Sequence, residues 1–280
     1  MKVALIQTRT PATQDAALAH VLPMVREAAA GGAGFIATPE CTNVVQKDRE
    51  ALLPTLKSQE EDVVVLGLRQ AAKDTGAWVL IGSALVQRQD GKAANRSLLI
   101  SPAGEITASY DKLHMFDVDL PTGESARESA TYEPGDRAVT AQAGELKLGM
   151  TVCYDLRFPA LYRALALAGA EVLTIPAAFT RPTGEAHWDV LMRARAIETG
   201  SFVLAPAQGG RHEDGRGTWG HSIVVAPWGE VIATLGHDEP GVLFADLDLA
   251  AVAKARNAIP ALANARTFAA PQALAWGPQA

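Results

Sequence analysis

A cysteine lies where an apolar run gives way to a helical pattern. Cys153 follows the strand-like residues 146–152, and a helix is predicted to begin at Pro159. A thiol at such a turn is held rigidly, and N–H groups of the turn can stabilise a thiolate and later an oxyanion. Considered by itself, the position favours a packed structural cysteine, since free cysteines are among the most buried residues of proteins.

A nucleophilic cysteine needs a base, because a thiol with a pKa of about 8.5 is mostly protonated near neutral pH. The sequence contains six histidines, and their positions do not say which of them reaches Cys153. Glu40 is an alternative base, since it ends the strand-like run 34–39 and Pro39 fixes the backbone before it. Considered alone, a glutamate at such a place is more often a solvated loop residue.

A lysine in an apolar and aromatic setting is the third candidate. Lys112 lies in a Tyr-Asp-Lys-Leu-His segment after a predicted turn at residues 102–104, and its neighbours indicate partial burial. A buried ammonium group is costly unless carboxylates pair with it. Without such partners, a lysine is more often at the surface.

Glu40, Lys112 and Cys153 occur in this order within segments that resemble the nitrilase superfamily of carbon–nitrogen hydrolases. The resemblance extends over residues 3–231, which is nearly the whole chain. It implies that Glu40 is the general base and that Lys112 stabilises the tetrahedral intermediate. It also implies that Cys153 is the nucleophile that forms a thioester.

The resemblance further implies a supporting glutamate in the loop before the cysteine. Glu128 is the best match, with Glu124 and Glu133 as alternatives in the same loop. The N–H of Tyr154 is expected to hold the oxyanion together with Lys112. Residues 114–137 have little periodicity, and a loop this long in a compact domain is usually functional.

The residues after the nucleophile indicate which branch of the superfamily the chain resembles. Nitrilases have a Cys-Trp-Glu pattern, whereas this chain has Cys153, Tyr154 and Asp155, which favours an amidase. Residues 173–188 are similar to the Nit subgroup, and residues 193–222 to its deaminated-glutathione amidases. The implied activity is hydrolysis of a carbon–nitrogen bond other than a peptide bond, in a small linear amide that carries carboxylates.

Deaminated glutathione is the first expected substrate of this amidase. The alternatives are an ω-amidase acting on α-ketoglutaramate and an N-carbamoyl amino acid amidohydrolase. A non-catalytic binding member of the family and a papain-like protease with a histidine base also stay open.

Seven residues form the predicted substrate-binding set, and two more arginines are further candidates for binding carboxylates. Arginines hold carboxylates in bidentate geometry, so Arg157, Arg181, Arg211 and Arg216 are all candidates for that role. The predicted set is Tyr154, Arg157, Phe179, Thr180, His187, Trp188 and Arg211. The histidines lack metal-ligand spacing, so neither a metal nor a cofactor is expected.

Composition limits the classes of function. The 280 residues are 48% hydrophobic and 20% charged, which is typical of a folded globular protein. A net charge of −6 without a basic run argues against nucleic acid binding. Apolar runs are too short for a membrane span or a signal peptide, and two cysteines do not support a disulfide scaffold. A cytoplasmic enzyme is therefore expected.

Short β-branched runs alternate with helical patterns along the chain. Helices are predicted over residues 15–30, 60–75, 159–168 and 189–199, and strands over nine shorter runs between residues 3 and 245. This pattern favours an α/β layered fold, and the resemblance implies a four-layer α-β-β-α sandwich of the nitrilase type. Residues 1–280 are expected to form a single domain within a homodimer or a higher homo-oligomer. The tail over residues 256–280 is expected to pack across a subunit interface.

Overall fold

Two six-stranded sheets form the centre of the protein. The structure, a computed structural model, describes residues 1–119, 123 and 125–270. In chain order, its strands are β1 (Lys2–Gln7), β2 (Phe35–Ala37), β3 (Trp78–Gln87), β4 (Ala93–Ile100), β5 (Ile106–Asp111), β6 (Asp117–Asp119), β7 (Ser125–Arg127), β8 (Val139–Ala143), β9 (Leu146–Met150), β10 (Val172–Thr174), β11 (Phe202–Ala205), β12 (Gly209–Arg211), β13 (Gly217–Trp219), β14 (Ile223–Val225), β15 (Val231–Thr234) and β16 (Gly241–Asp246).

The helices lie mostly in the connections between parallel strands. They are α1 (Gln14–Ala30), α2 (Arg49–Leu52), α3 (Val63–Thr75), α4 (Pro159–Leu167), α5 (Arg181–Thr199) and α6 (Ala250–Ala258). Asp62 begins α3 by accepting hydrogen bonds from the N–H groups of Val64 and Val65, and Gly76 ends it in the left-handed conformation. Caps of this kind fix where a helix meets the strand that follows it.

Each sheet has parallel strands at its centre and antiparallel strands at its edges. Sheet I has the order β16-β1-β2-β3-β4-β5, and sheet II has the order β15-β14-β11-β10-β9-β8. In sheet I, β1, β2 and β3 are parallel, and in sheet II, β9, β10 and β11 are parallel. The carboxyl ends of parallel strands are where ligands bind in many α/β proteins.

Alternate residues of one strand face two different hydrophobic layers. On β1, Val3 and Leu5 pack with residues of sheet II, whereas Ala4 and Ile6 pack under α1 and α3. Helices α4 and α5 cover the other side of sheet II through Leu165 and other apolar side chains. The order of layers is helices, sheet I, sheet II, helices, so the predicted α/β four-layer α-β-β-α sandwich is confirmed.

One predicted helix, α5, begins much earlier than expected. The helix starts at Arg181, eight residues before the predicted start at Asp189, and Thr180 is its N-terminal cap. Gly184 lowers the helical signal there, but the ring of Trp219 lies where a side chain would go, at 2.2 Å from an ideal Cβ. A glycine is therefore required by tertiary packing within a helix.

The long loop predicted over residues 114–137 contains a short hairpin. Strands β6 and β7 pair in antiparallel fashion, and a 3₁₀ turn at Glu128–Ala130 follows them. Glu124 lies outside the described residues, as do residues 271–280 of the predicted interface tail. Within the described part of the chain, no helix is long and apolar enough to cross a membrane.

Candidate active site

A cleft of about 600 Å³ opens at the carboxyl ends of the parallel strands of both sheets. The four predicted catalytic residues all line it: Glu40, Lys112, Glu128 and Cys153. Glu40 follows β2 and Lys112 follows β5, so both residues come from sheet I. Cys153 follows β9 of sheet II, so the cleft joins the two sheets.

Lys112 connects two carboxylates at the bottom of the cleft. Its Nζ donates to Glu40 Oε1 at 3.0 Å and to Glu128 at 2.8 Å (Oε2) and 3.0 Å (Oε1). The lysine is 2% exposed and Glu40 5% exposed, so neither fits the surface or loop role that each residue alone suggested. Burial lowers the pKa of Lys112, but the charges of Glu128 and Glu40 outweigh burial and raise it well above its usual value.

Glu40 and Cys153 face the same cleft. The Cys153 thiol is near enough to the Glu40 carboxylate to help lower its pKa. Burial raises the pKa of Glu40, but the charge of Lys112 and the hydrogen bonds to the carboxylate bring it below its usual value. Burial and the charge of Glu40 raise the pKa of the Cys153 thiol well above its usual value. The pair therefore rests as a neutral thiol beside an ionised carboxylate, which is the arrangement a general base requires.

The backbone at Cys153 is held in an unusual conformation. Its φ is 49°, in the left-handed region that L-residues rarely adopt. The N–H of Cys153 donates to the carbonyl of Pro176 at 2.9 Å, and the residue begins a 3₁₀ turn, Cys153–Arg157. Backbone strain of this kind persists where surrounding contacts over-determine it, and it concentrates at functional sites.

Asp155 ties the nucleophile turn to the segment that carries Lys112. Its buried carboxylate accepts the Val152 N–H at 2.8 Å and the Tyr110 hydroxyl at 2.7 Å. It also accepts the His114 N–H at 3.1 Å and contacts His114 Nδ1 at 2.7 Å. Since residues 110 and 114 flank Lys112, one carboxylate fixes the lysine segment relative to the cysteine.

Three residues at the site were missed by sequence reasoning. The N–H of Ala178 donates to Glu40 Oε2 at 3.0 Å, and Gln208 Nε2 donates to the Glu40 carbonyl at 2.8 Å. Asn95 Nδ2 donates to Glu40 Oε1 at 2.9 Å and to Glu128 Oε1 at 3.1 Å. Of the three, Asn95 in β4 is the one whose residue type could have been noticed in the sequence, because asparagine is depleted in strands. A backbone N–H leaves no signal in sequence.

The predicted substrate-binding residues divide into two groups. Tyr154, Arg157, Phe179 and Thr180 line the cleft. The other three do not: Trp188 is buried and donates from Nε1 to the His221 carbonyl, His187 is exposed beside Arg157, and Arg211 is exposed on β12. Trp188 supports the cleft indirectly, since its ring packs edge-on against Phe179 at 5.1 Å.

Two further arginines were candidates for binding substrate carboxylates, and their ion pairs show where they lie. Arg181 pairs with Asp238 outside the lining, whereas Arg216 lines the cleft and contacts Asp214 at 3.3 Å. Glu133, the alternative to Glu128, pairs with Lys92 at 2.9 Å.

Positive charge dominates the mouth of the cleft. Besides Lys112, the lining includes the cations Lys47, Arg49, Arg127, Arg157 and Arg216. Among the described lining residues the carboxylates are Glu40 and Glu128, and Lys112 binds both. The net field therefore favours an anionic ligand, although the protein as a whole has a charge of −6.

No histidine belongs to the cleft lining that the structure describes. The ring of His114 stacks on Phe158 at 3.5 Å, and His212 bonds to Thr218 at 2.8 Å and to the Thr10 carbonyl. This argues against the papain-like alternative. Over the same described ranges, no three His, Cys, Asp or Glu side chains are arranged to hold a metal ion.

The fold and this site agree with a comparison against known families. Residues 2–257 match the family described as carbon-nitrogen hydrolase. The chain belongs to this family. The resemblance read from the sequence is thereby confirmed, and as a carbon-nitrogen hydrolase the protein is an enzyme that acts on carbon–nitrogen bonds other than peptide bonds.

Individual carbon-nitrogen hydrolases are similar along most of the chain. A deaminated glutathione amidase of Yersinia enterocolitica is 44% identical over 202 residues, covering 71% of this chain and 70% of its own. The mouse omega-amidase NIT2 is 33% identical over 270 residues, covering 95% of each chain.

Solved structures give the same fold. The NitFhit protein of C. elegans superimposes with a TM-score of 0.88 and 30% identity, over 95% of this chain and 65% of that longer one. A mutant of the amidase from Nesterenkonia, 26% identical with a TM-score of 0.77, covers 93% of this chain and 98% of its own. That structure shows acrylamide added at the active site cysteine.

Proposed function

We propose that this hydrolase cleaves a small carboxylate-bearing amide, deaminated glutathione, through a thioester on Cys153. The observation that carries the proposal is that Glu40 accepts a hydrogen bond from the Lys112 ammonium group and shares a cation-lined cleft with the Cys153 thiol, which helps to lower its pKa. An intact base, cation and nucleophile also argue against a non-catalytic binding role.

The reaction follows from the protonation states of the pair. Glu40 takes the proton of Cys153, and the thiolate attacks the amide carbon while Lys112 stabilises the oxyanion. The carbon–nitrogen bond breaks, the amine leaves with the proton from Glu40, and the acyl group stays on sulfur. Glu40 then takes a proton from water, and the hydroxide attacks the thioester. The carbon–sulfur bond breaks, the acid product leaves, and Glu40 returns its proton to the Cys153 sulfur.

Supporting carboxylates and donors keep Glu40 in place during both half-reactions. Glu128 shares Lys112 with Glu40, so the ammonium group stays fixed when Glu40 becomes neutral. The Ala178 N–H binds the other oxygen of Glu40 and limits its rotation. A base that is held in this way accepts and returns a proton without losing its geometry.

The charge of the cleft supports a substrate with carboxylates. Deaminated glutathione has two carboxylates and a keto group. Arg157 is placed to bind one of them, because among the described ion pairs it has no carboxylate partner and its guanidinium lies 5.6 Å from the Phe179 ring. The exposed Lys47 and Arg49 and the partly exposed Arg216 offer positions for the second.

A substrate panel tests the proposal. Purified protein is offered deaminated glutathione, α-ketoglutaramate, an N-carbamoyl amino acid and an aliphatic nitrile, and kcat/KM is measured for each. Deaminated glutathione is expected to be preferred. A preference for free α-ketoglutaramate would assign the ω-amidase activity. This activity is the second candidate, because mouse omega-amidase NIT2 is 33% identical over 95% of both chains. Carbon dioxide released with ammonia would identify a carbamoylase, and preference for the nitrile would refute an amidase.

The assembly proposed for this enzyme is a homodimer made from one domain per chain. Three large apolar side chains are exposed on α5 and on the turn after β14: Val190 at 66%, Ile197 at 55% and Trp228 at 55%. Val190 and Ile197 share one face of α5, since they are two helical turns apart. A patch of this kind supports an interface with a second copy.

The proposed compartment is the cytoplasm, and the proposed partner is a small molecule. Cys41 and Cys153 are both free thiols, which a reducing compartment preserves. The cations of the cleft do not extend into a sequence run that would follow a nucleic acid backbone.

A further inference from the structure

Asn95 lies between the two carboxylates that bind Lys112. It belongs to β4, next to β5, and its backbone carbonyl accepts the Lys112 N–H at 3.0 Å. Its side chain is 2% exposed and lines the cleft. The same residue therefore contacts the lysine through its backbone and the glutamates through its side chain.

The orientation of the Asn95 amide is determined by its neighbours. Nδ2 lies 2.9 Å from Glu40 Oε1 and 3.1 Å from Glu128 Oε1, so a rotated amide would place an oxygen against two carboxylates. In this orientation Oδ1 is buried and has no hydrogen-bond partner among the described residues. This is the orientation in which both carboxylates receive a hydrogen bond from the amide.

Because Asn95 is a neutral donor, it leaves the net charge of the carboxylate and lysine cluster unchanged. Glu40, Glu128 and Lys112 together bear two negative charges and one positive charge. Asn95 adds two hydrogen bonds without adding charge, so the cluster keeps a net negative charge and Glu40 remains basic enough to take a proton from Cys153. A second lysine here would neutralise the cluster and weaken the base.

We propose that Asn95 is a positioning residue, which holds Glu40 and Glu128 together around Lys112 and keeps Glu40 ionised opposite Cys153. The inference rests on the proposed role of Glu40 as the base. It also couples two segments, because Glu128 lies in the 3₁₀ turn after β7 and is joined to Glu40 through one amide group.

The electrostatics of Glu40 agree with this role. Burial raises the pKa of Glu40, and the charge of Lys112 with hydrogen bonds from Cys153, Lys112 and Asn95 lowers it below its usual value. Removal of the Asn95 donor should therefore raise the pKa of Glu40. The base would then become protonated, and inactive, at a higher pH than in the wild-type enzyme.

The test measures how fast iodoacetamide alkylates Cys153 as a function of pH, with the modified cysteine identified by mass spectrometry. This assay reports deprotonation of the thiol and needs no amide substrate. For Asn95→Ala we expect the acid limb of the alkylation rate profile to move to higher pH by about half a unit or more. In a separate assay of amide hydrolysis, kcat should fall about tenfold or more, with little change in KM. Asn95→Asp places a third carboxylate beside Glu40, and its acid limb should move further in the same direction.

The matched control is Ser97→Ala. Ser97 lies two residues along β4, is equally buried and donates from its hydroxyl to the Ile81 carbonyl, but it does not line the cleft. Its variant should lose some thermal stability and keep the wild-type pH profile. The proposal is overturned if folded Asn95→Ala or Asn95→Asp keeps the wild-type profile, or if Ser97→Ala moves the profile as far as they do.

Failure of the proposed function gives a different result. If Glu40→Gln alkylates with the wild-type pH profile, Glu40 is not the base, and both proposals fail. If the alkylation profiles behave as expected but no amide of the panel is hydrolysed, the substrate assignment is wrong while the role of Asn95 stands.

Discussion

The chemical role of Cys153 depends on the side chains next to it. Alone it fits a packed thiol, and its 8% exposure and raised pKa agree with that description. In the proposed mechanism, the ionised carboxylate of Glu40 beside it converts the same buried thiol into a nucleophile. Cys41 has a similar burial and a raised pKa, but the contact that fixes it is structural, since its N–H donates to the Ser83 hydroxyl.

The two cysteines provide a matched pair for the first prediction. Cys153→Ala should fold with a thermal midpoint close to wild type and hydrolyse no amide, because the thioester cannot form. Cys41→Ser should keep most of the activity, since the thiol that interacts with the Glu40 carboxylate is that of Cys153. Activity and thermal unfolding are measured on both variants. Turnover by Cys153→Ala would refute the assignment of the nucleophile.

Arg157 and Arg211 provide the second comparison. Arg157→Met should raise KM for a carboxylate-bearing amide about tenfold or more, because a charge-assisted hydrogen bond is lost. KM for a small uncharged amide should change little. Arg211→Met removes an exposed guanidinium outside the cleft and should leave both KM values near wild type. Equal effects of the two substitutions would count against Arg157 as a carboxylate ligand.

At the scale of elements, the site depends on how closely the ends of β2 and β10 approach β3. Gly82 lies in β3, and a Cβ there would lie 2.0 Å from the Thr38 carbonyl oxygen and 2.4 Å from Pro176 Cβ. Thr38 precedes Glu40 in the chain, and the Pro176 carbonyl accepts the Cys153 N–H. One glycine thus permits the close approach that brings the base and the nucleophile together.

Gly82→Ala should therefore damage both stability and activity. Overpacking against backbone atoms costs about 1–3 kcal/mol, and relief of the clash must displace Glu40 or Cys153. We expect a lower thermal midpoint and a fall in kcat that remains at temperatures where the variant is fully folded. Gly241→Ala on β16 is the control, because its added Cβ meets only Leu235 side-chain atoms at 3.5 Å and 3.6 Å. A folded, fully active Gly82→Ala enzyme would contradict this account.

For the whole molecule, the site depends on contacts between distant parts of the chain. Gln208 follows β11 of sheet II and donates to the Glu40 carbonyl, which follows β2 of sheet I. Gln7 at the end of β1 accepts the N–H and the hydroxyl of Ser222 at 2.8 Å each. These buried amides fix the two sheets relative to each other near the cleft, so the site is a property of the sandwich and not of either sheet.

The exposed apolar patch on α5 leads to a prediction about the oligomeric state of the whole molecule. Ile197→Glu places a charge in the exposed apolar patch of α5 and should convert the proposed dimer to a monomer, as measured by size exclusion with light scattering. Leu66→Glu is the control, since Leu66 is 42% exposed on α3, on the opposite outer layer. The Leu66→Glu variant should remain a dimer. A wild-type protein that is monomeric would refute the interface.

Sequence reasoning predicted the elements that have strong internal patterns. Strand β11 was predicted with its observed bounds, and α1, α3 and α4 were placed to within a few residues. It missed seven strands: β5, β6, β7, β8, β12, β13 and β15. Four of these, β6, β7, β12 and β13, are only three residues long and are stabilised by their partners more than by their own composition. It also started α5 late, because packing against Trp219 determines the helix there.

The sequence by itself determined the layered α/β fold, the family and the candidacy of Glu40, Lys112 and Cys153, because apolar periodicity and the motifs around these residues are local properties. Only the tertiary structure decided that Lys112 binds Glu128 rather than Glu133, and that Arg157 lines the cleft while Arg211 does not. It also brought Asn95 between the two carboxylates. These distances depend on how two twisted sheets pack face to face, and no single strand encodes that packing.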